Sequence, residues 1–218
     1  QKQIDTEILI VGGGPVGLML ANLLGQAGIR TIVLEQRTQP PAHSMAIGVT
    51  PPSIEILESL NLADIFVRSG VPVRRARVFE NQTQTGHLDF DNIPSDYRFF
   101  LSIPQSETQA ILLDGLARWD SVTHRSGIEF AELRQAEQSV PVEARDPVRN
   151  EACTFHAQYV IGCDGHRSAV REQGGFTKRE QAYRQRWVMG DFPDAGHLGT
   201  EAHLYFSAEG STESFPLP

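Results

Sequence analysis

The chain has 218 residues, 40% of them hydrophobic and 21% charged, and a formal net charge of -8. That length buries a sizeable core in one large or two small domains. The acidic balance, with no cationic cluster beyond Arg74, Arg75 and Arg77, argues against a nucleic-acid partner. No apolar run approaches membrane-spanning length and the opening QKQIDTE has no apolar signal region, so a cytoplasmic protein is the expectation.

In chain order, Ile8, Leu9, Ile10 and Val11 form a short apolar run that breaks into Gly12, Gly13, Gly14 and Gly17, which predicts a buried strand ending in a glycine turn. Leu18, Ala21, Leu24 and Ala27 then recur at spacing three, Gly28 suits a helix C-terminus, and residues 31–34 read as a second strand. Gly12-x-Gly14-x-x-Gly17 inside a β-α-β unit, with Glu35 about 20 residues further on, is the dinucleotide-binding fingerprint. Gly12 permits the tight turn, Gly14 has no Cβ to obstruct a pyrophosphate, and Gly17 lets the helix lie close to the strand. N–H groups at the helix start face the phosphate charge. Glu35 can accept hydrogen bonds from a ribose diol and would repel a 2′-phosphate, which points to NAD or FAD rather than NADP.

Residues 36–49 read as a loop expected to cross the cofactor. Pro51 and Pro52 preset a helix whose apolar face is Ile54, Ile56, Leu57 and Leu60, with Leu62, Ile65 and Phe66 extending it to Gly70. From Val71 the pattern alternates through Val73, Ala76, Val78 and Phe79, then Leu88 and Phe90, which predicts hairpin strands around a turn at 81–86. A sheet interrupting the β-α-β domain predicts a second subdomain.

Residues 99–103 read as a strand, and Pro104 opens a helix with Ile111, Leu112 and Leu116 at helical spacing. Strands are expected at 127–133 and 140–144, and two more at 152–155 and 158–163. Cys153 and Cys163 lack a metal-ligand spacing and read as reduced core thiols. The seven histidines are scattered, no metal or triad spacing is present, and no catalytic base can be named.

A second motif closes the last of these strands: Tyr159-Val160-Ile161-Gly162-Cys163-Asp164-Gly165. An aspartate at the carboxyl end of a parallel strand lies where open α/β sheets bind ligands; alternatively, Asp164 caps a tight turn. With both motifs in this order, the chain resembles the single-component flavin-dependent aromatic hydroxylases typified by para-hydroxybenzoate hydroxylase. GGGPVGL resembles their FAD fingerprint, IGCDGHRSAVR their Asp-Gly fingerprint, and LSIPQSETQAILLDGLA their helix carrying a flavin-contacting glutamine, here Gln105.

The resemblance implies an FAD-binding α/β domain of Rossmann type over 1–70 and 99–178, with an inserted, mainly β substrate-binding subdomain over 71–98 and 179–218. FAD would be held by Gly12, Gly14, Pro15, Val16 and Gly17, by Glu35, Gln36 and Arg37 at the adenosine end, and by Gln105, Asp164 and Gly165 elsewhere. The implied cycle has NADH or NADPH reduce FAD, O2 add to the reduced flavin, and the flavin hydroperoxide hydroxylate an aromatic, phenolic substrate. The hard chemistry belongs to the cofactor.

Two departures from the family pattern stand out. Relatives carry an arginine in a Pro-Arg-Ala-x-Gly loop where this chain has Met45, which cannot neutralise phosphate. The family's third fingerprint, Gly-Asp with a His- and Pro-containing continuation, is missing; Gly190-Asp191 follows Trp187, Val188 and Met189 and reads as part of a substrate-domain strand. The chain is therefore expected to be an N-terminal fragment, with weakened or lost FAD binding and no turnover by itself. The competing readings are a flavin-dependent reductase or halogenase of the same fold, an NAD-dependent dehydrogenase, and a truncated, non-catalytic nucleotide-binding fragment. Lys2 and Lys178 are poorly placed for the halogenase's lysine.

Overall fold

In the computed structural model, which describes residues 5–39, 46–196 and 198–218, the opening apolar run forms β1 (Thr6–Val11), followed by α1 (Pro15–Gln26) and β2 (Thr31–Glu35). Next come β3 (Gly48–Val49), α2 (Pro51–Ser59), α3 (Ala63–Ser69), β4 (Val71–Val73), β5 (Arg75–Glu80), β6 (Thr83–Asp89) and β7 (Phe100–Ser102). α4 (Gln105–Gly115) runs into a 3-10 turn, and β8 (Val122–Ser126), β9 (Glu129–Leu133), β10 (Val140–Asp146) and β11 (Glu151–Gly162) follow. α5 (Ala169–Gln173), β12 (Ala202–Ser207) and β13 (Gly210–Ser214) complete the chain. The fold is mixed α/β with a parallel sheet, as the fingerprints imply.

The chain divides into two compact units, residues 1–43 with 108–179 and residues 44–107 with 180–218. The first is built on a six-stranded sheet in the order β8-β2-β1-β11-β10-β9. β8, β2, β1 and β11 run parallel, and β10 and β9 are antiparallel additions. Leu9, Ile10 and Val33 are fully buried, which is why these strands are continuous apolar runs rather than alternating ones. Burial of each such side chain stabilises the fold by about 1.5–3 kcal/mol. One core cluster, Leu9, Val11, Leu34, Val142, Ala144, Ala157 and Val170, spans both parts of the sheet.

The two strands expected at 152–155 and 158–163 are one, β11. Its first half pairs antiparallel with β10 from Glu151↔Asp146 to Ala157↔Val140, and its second half pairs parallel with β1 from Ala157↔Thr6 to Gly162↔Val11. Asp5 holds the changeover: its N–H donates to the His156 carbonyl at 2.8 Å and its Oδ2 accepts the His156 N–H at 2.8 Å. β8 was not expected, because VTHRS is a polar edge strand without alternation. Cys153 and Cys163 are free, half-buried thiols, and Cys153 packs against the core cluster.

In the second unit, β13-β12-β5-β6 form a four-stranded sheet and β3-β7-β4 a three-stranded one. Val73, Ala76 and Ala202 form a small core with Phe90, Phe100, Leu204 and Phe215 packed against it. The helix expected from Pro51 to Gly70 is two, α2 and α3. Asn61 takes a left-handed φ of 55°, and the Leu62 N–H returns to the Leu57 carbonyl at 2.9 Å, the closing bond of a Schellman-type stop. The hairpin turn is shorter than expected: Asn81 and Gln82, with φ of 46° and 71°, reverse the chain alone, and Gly86 lies within β6.

The strand expected around Trp187, Val188 and Met189 is absent. All three side chains are exposed and these residues join no ladder, so β-propensity without a paired neighbour forms no strand. No helix among the described residues is long and apolar enough to cross a membrane.

Candidate functional site

The glycines after β1 divide their duties. Gly12 has a φ of +109°, and a Cβ there would lie 2.2 Å from the Cys163 carbonyl oxygen. Its N–H donates to the Leu34 carbonyl at 2.8 Å, so the ends of β1, β2 and β11 are drawn together at this residue. A Cβ on Gly17 would stand 1.9 Å from the Gly12 carbonyl oxygen, the close helix-to-strand approach that the fingerprint requires. A Cβ on Gly14 would meet nothing within 4 Å. Gly14 therefore leaves room for something other than protein.

Gly14 is also the N-cap of α1, in extended conformation and without a side-chain cap, with Pro15 at the helix start and Val16 exposed. A helix whose first turn lacks a side-chain cap presents its N–H dipoles outward and favours an anion. Glu35, at the end of β2, faces the same loop. Its Oε2 accepts the Gly13 N–H at 2.7 Å and its Oε1 accepts the Arg37 N–H at 2.8 Å. A Cβ on Gly13 would come within 2.8 Å of the Glu35 Cβ, so this fourth glycine, outside the fingerprint, is needed for Glu35 to approach. Gln36 and Arg37 are exposed.

Beside this loop lies a cavity of about 130 Å³ lined by Gly13, Leu18, Glu35, Arg37, Thr38, Gln39, Gln109, Leu113, His124 and Ser126. Burial pushes the His124 imidazole below its ordinary value, with the Glu35 carboxylate pulling weakly the other way. Gln109 and His124 were not legible as site residues. The available signal for Gln109 was its place one turn after Gln105 on α4, in the stripe that continues through Leu112.

The Asp-Gly motif follows β11. Asp164 Oδ2 accepts the Val170 N–H at 3.2 Å, so the aspartate does brace the start of α5. Its other oxygen, Oδ1, is buried without a partner among the described residues, an arrangement costly enough to mark a place for a further donor. Gly165 has a φ of +83° and open space where a Cβ would stand. Burial raises the Cys163 thiol above its ordinary range, and the Asp164 carboxylate raises it further. Arg171 is used locally: its Nη2 donates to the His166 carbonyl at 3.2 Å.

Gln105 belongs to the second unit, where its Oε1 accepts the Ala46 N–H at 3.1 Å. The loop position of Met45, together with Lys2, His43 and His197, lies outside the described residues. Among the described residues no group of three or more His, Cys, Asp or Glu is arranged to hold a metal.

The first unit is thus a dinucleotide-binding α/β unit. An open Gly14, an uncapped helix start, the Glu35 carboxylate at the end of β2 and an Asp164 oxygen with no partner among the described residues fit the adenosine diphosphate half of FAD. The chain belongs to the FAD binding domain family, whose match covers residues 5–203.

It is 33% identical over 201 residues to a 3-(3-hydroxy-phenyl)propionate/3-hydroxycinnamic acid hydroxylase of Mycolicibacterium smegmatis, covering 89% of this chain and 35% of that relative. It is 32% identical over 215 residues to a 6-methylpretetramide 4-monooxygenase of Streptomyces rimosus, covering 97% and 38%. Among solved structures it resembles p-nitrophenol 4-monooxygenase of Pseudomonas putida DLL-E4, with a TM-score of 0.75 and 27% identity over 81% of this chain and 45% of that one. The chain therefore spans little more than a third of the length of these curated relatives.

Proposed function

We propose that this chain supplies the FAD-binding portion of a monooxygenase that uses NAD(P)H and O2 to hydroxylate an aromatic, phenolic substrate. The observation that carries the reading is the loop from Gly12 to Gly17, held by Glu35 and open at Gly14, in a chain of the FAD binding domain family. The names of its relatives, hydroxylases and monooxygenases with aromatic substrates, support the reaction class.

In this reading the α1 start and the Gly14 backbone receive the pyrophosphate, and Glu35, with Gln36 and Arg37 beside it, receives the adenosine ribose. Pro15 and Val16 form the first turn against the phosphates, Asp164 and Gly165 stand at the end of β11, and Gln105 contributes from the start of α4. When bound, FAD supplies the electron transfer from NAD(P)H and the activation of O2. The chain's own residues bind and orient that group, and none of them is assigned a proton-transfer role. The interrupted sheet, with residues 71–98 and 179–218, is the substrate-binding part of the scheme.

The test is a visible absorption spectrum of purified protein with and without added FAD, for this chain and for its complete reading frame. A protein-bound flavin band bleached by NADH or NADPH faster when candidate phenols are present supports the proposal. Uptake of NAD without flavin replaces it with a dehydrogenase.

A further inference from the structure

Gln109 is 7% exposed and points from α4 toward the glycine loop. Its Nε2 donates to the Gly13 carbonyl at 3.4 Å, while Glu35 Oε2 accepts the N–H of the same residue at 2.7 Å. The Gly13 backbone is thereby gripped on both sides by side chains from two different elements. The other end of the amide, Gln109 Oε1, is buried and has no partner among the described residues. It belongs to a residue lining the cavity shared by Glu35, Arg37, His124 and Ser126. A buried acceptor left without a donor keeps its full desolvation penalty, so a donor at this position contributes to affinity.

We infer that Gln109 is a ligand-reading residue of the nucleotide site: its Oε1 accepts a hydrogen bond from a hydroxyl or amino hydrogen of the adenosine half of the bound dinucleotide, while its Nε2 fixes Gly13. This rests on the dinucleotide reading of the site given above. Adenosine is the occupant because the cavity adjoins Glu35 rather than the open face of Gly14, and because an acceptor is matched by the ribose hydroxyls and the adenine amino group. The bridging pyrophosphate of a dinucleotide, whose diester-type oxygens carry no proton at neutral pH, does not satisfy Oε1. Gln109 acts in binding and takes no part in oxygen transfer.

The experiment titrates the 218-residue chain and its Gln109→Met variant with ADP, inorganic pyrophosphate and FAD, following binding by NMR. Met keeps the volume and removes both amide functions. ADP affinity is expected to fall roughly tenfold more than pyrophosphate affinity, because both ligands share the loss of the Gly13 brace and only ADP also loses the buried hydrogen bond to Oε1. In the unaltered protein, the Gln109 side-chain NH2 resonances shift on adding ADP and stay in place on adding pyrophosphate, a readout that holds even if the variant does not fold.

Equal losses for ADP and pyrophosphate, or pyrophosphate moving the same resonances as far as ADP does, reduce Gln109 to a brace for Gly13 and overturn the inference. Unchanged ADP affinity overturns it too, because the oxygen then holds only water. If ADP binds this chain and FAD does not bind its complete reading frame, the FAD reading fails while Gln109 is still decided by the ADP and pyrophosphate titrations. If the unaltered chain binds no ADP, the inference falls.

Discussion

The side-chain amide of Asn22 and the indole of Trp119 meet at 3.0 Å, with Oδ1 accepting the Nε1 proton, and this bond completes a buried junction. Asn22 Nδ2 also donates to the Leu18 carbonyl at 2.9 Å and to the Leu112 carbonyl at 2.8 Å. Every hydrogen-bonding position of this amide that matters is used, and it fastens α1, which begins at the glycine loop, to α4, which carries Gln109. Gly25 is part of the same fit, since a Cβ there would lie 2.5 Å from the Trp119 ring.

Replacing Asn22 by Ala leaves the indole N–H without its acceptor and takes the side-chain donor away from the Leu18 and Leu112 carbonyls. Asn22→Ala is expected to cost about 3 kcal/mol, because lost partners leave the full desolvation penalty of each group behind. Urea denaturation reads this as a lower midpoint at unchanged slope. A midpoint equal to that of the unaltered protein means that water replaces the amide and that the junction is not dry.

Two glycines of one fingerprint should behave oppositely. Gly17→Ala places a methyl 1.9 Å from the Gly12 carbonyl oxygen, and backbone cannot yield as a flexible side chain does. A loss of about 3 kcal/mol is expected. Gly14 has φ -74° and ψ -179°, which alanine adopts freely, and a Cβ there meets nothing within 4 Å. Gly14→Ala should therefore keep its stability to within about 0.5 kcal/mol while losing nucleotide affinity tenfold or more, because its methyl occupies the approach of the pyrophosphate. Thermal unfolding together with ADP titration separates the two. A Gly14→Ala protein that binds ADP normally removes Gly14 from the site.

The same division shows what was legible in the sequence. Gly12, Gly14 and Gly17 announced strand, turn and helix because their spacing is set by backbone geometry that only glycine allows. Glu35 was legible as a site residue, but its prior engagement with the Gly13 N–H was not, since that depends on how closely β2 approaches the loop. β8 escaped because an edge strand carries no apolar alternation, and β11 was split because its buried centre, His156 and Ala157, looks like an interruption when its two different partners are unknown. Residues 187–189 misled in the opposite direction: their apolar character suggests a strand, and pairing decides. Gln109 is a polar residue on a helix whose function comes wholly from what α4 is packed against.

Cys163 lies between β11 and Asp164, and burial followed by the Asp164 carboxylate raises its thiol. The thiolate is the reacting form, so alkylation should be slow at neutral pH and accelerate only above the ordinary thiol range. A Cys153→Ser background leaves Cys163 as the sole cysteine, and the rate of iodoacetamide labelling against pH then reports it. Labelling at the rate of a free thiol at pH 7.5 shows that the end of β11 opens readily, contrary to the packing of Gly12 against the Cys163 carbonyl.

The imidazole of His124 lines the cavity beside the glycine loop with Glu35 and Arg37 as its charged companions. Burial is the larger influence and holds it below its ordinary value near 6.5, so the folded chain binds this proton less readily than the unfolded chain. Where the unfolded state holds more protons, stability rises with pH. Stability should consequently be complete above about pH 6.5 and decline as pH falls from there toward the folded-state value. His124→Gln keeps a polar side chain that does not titrate. Urea midpoints measured at pH 7.5 and 5.5 should fall further for the unaltered protein than for the variant, the difference between them removing the carboxylates that titrate in both. A smaller fall for the unaltered protein means that protonated His124 is stabilised by Glu35 more than it is penalised by burial, and that the carboxylate rather than the cavity wall governs this end of the site.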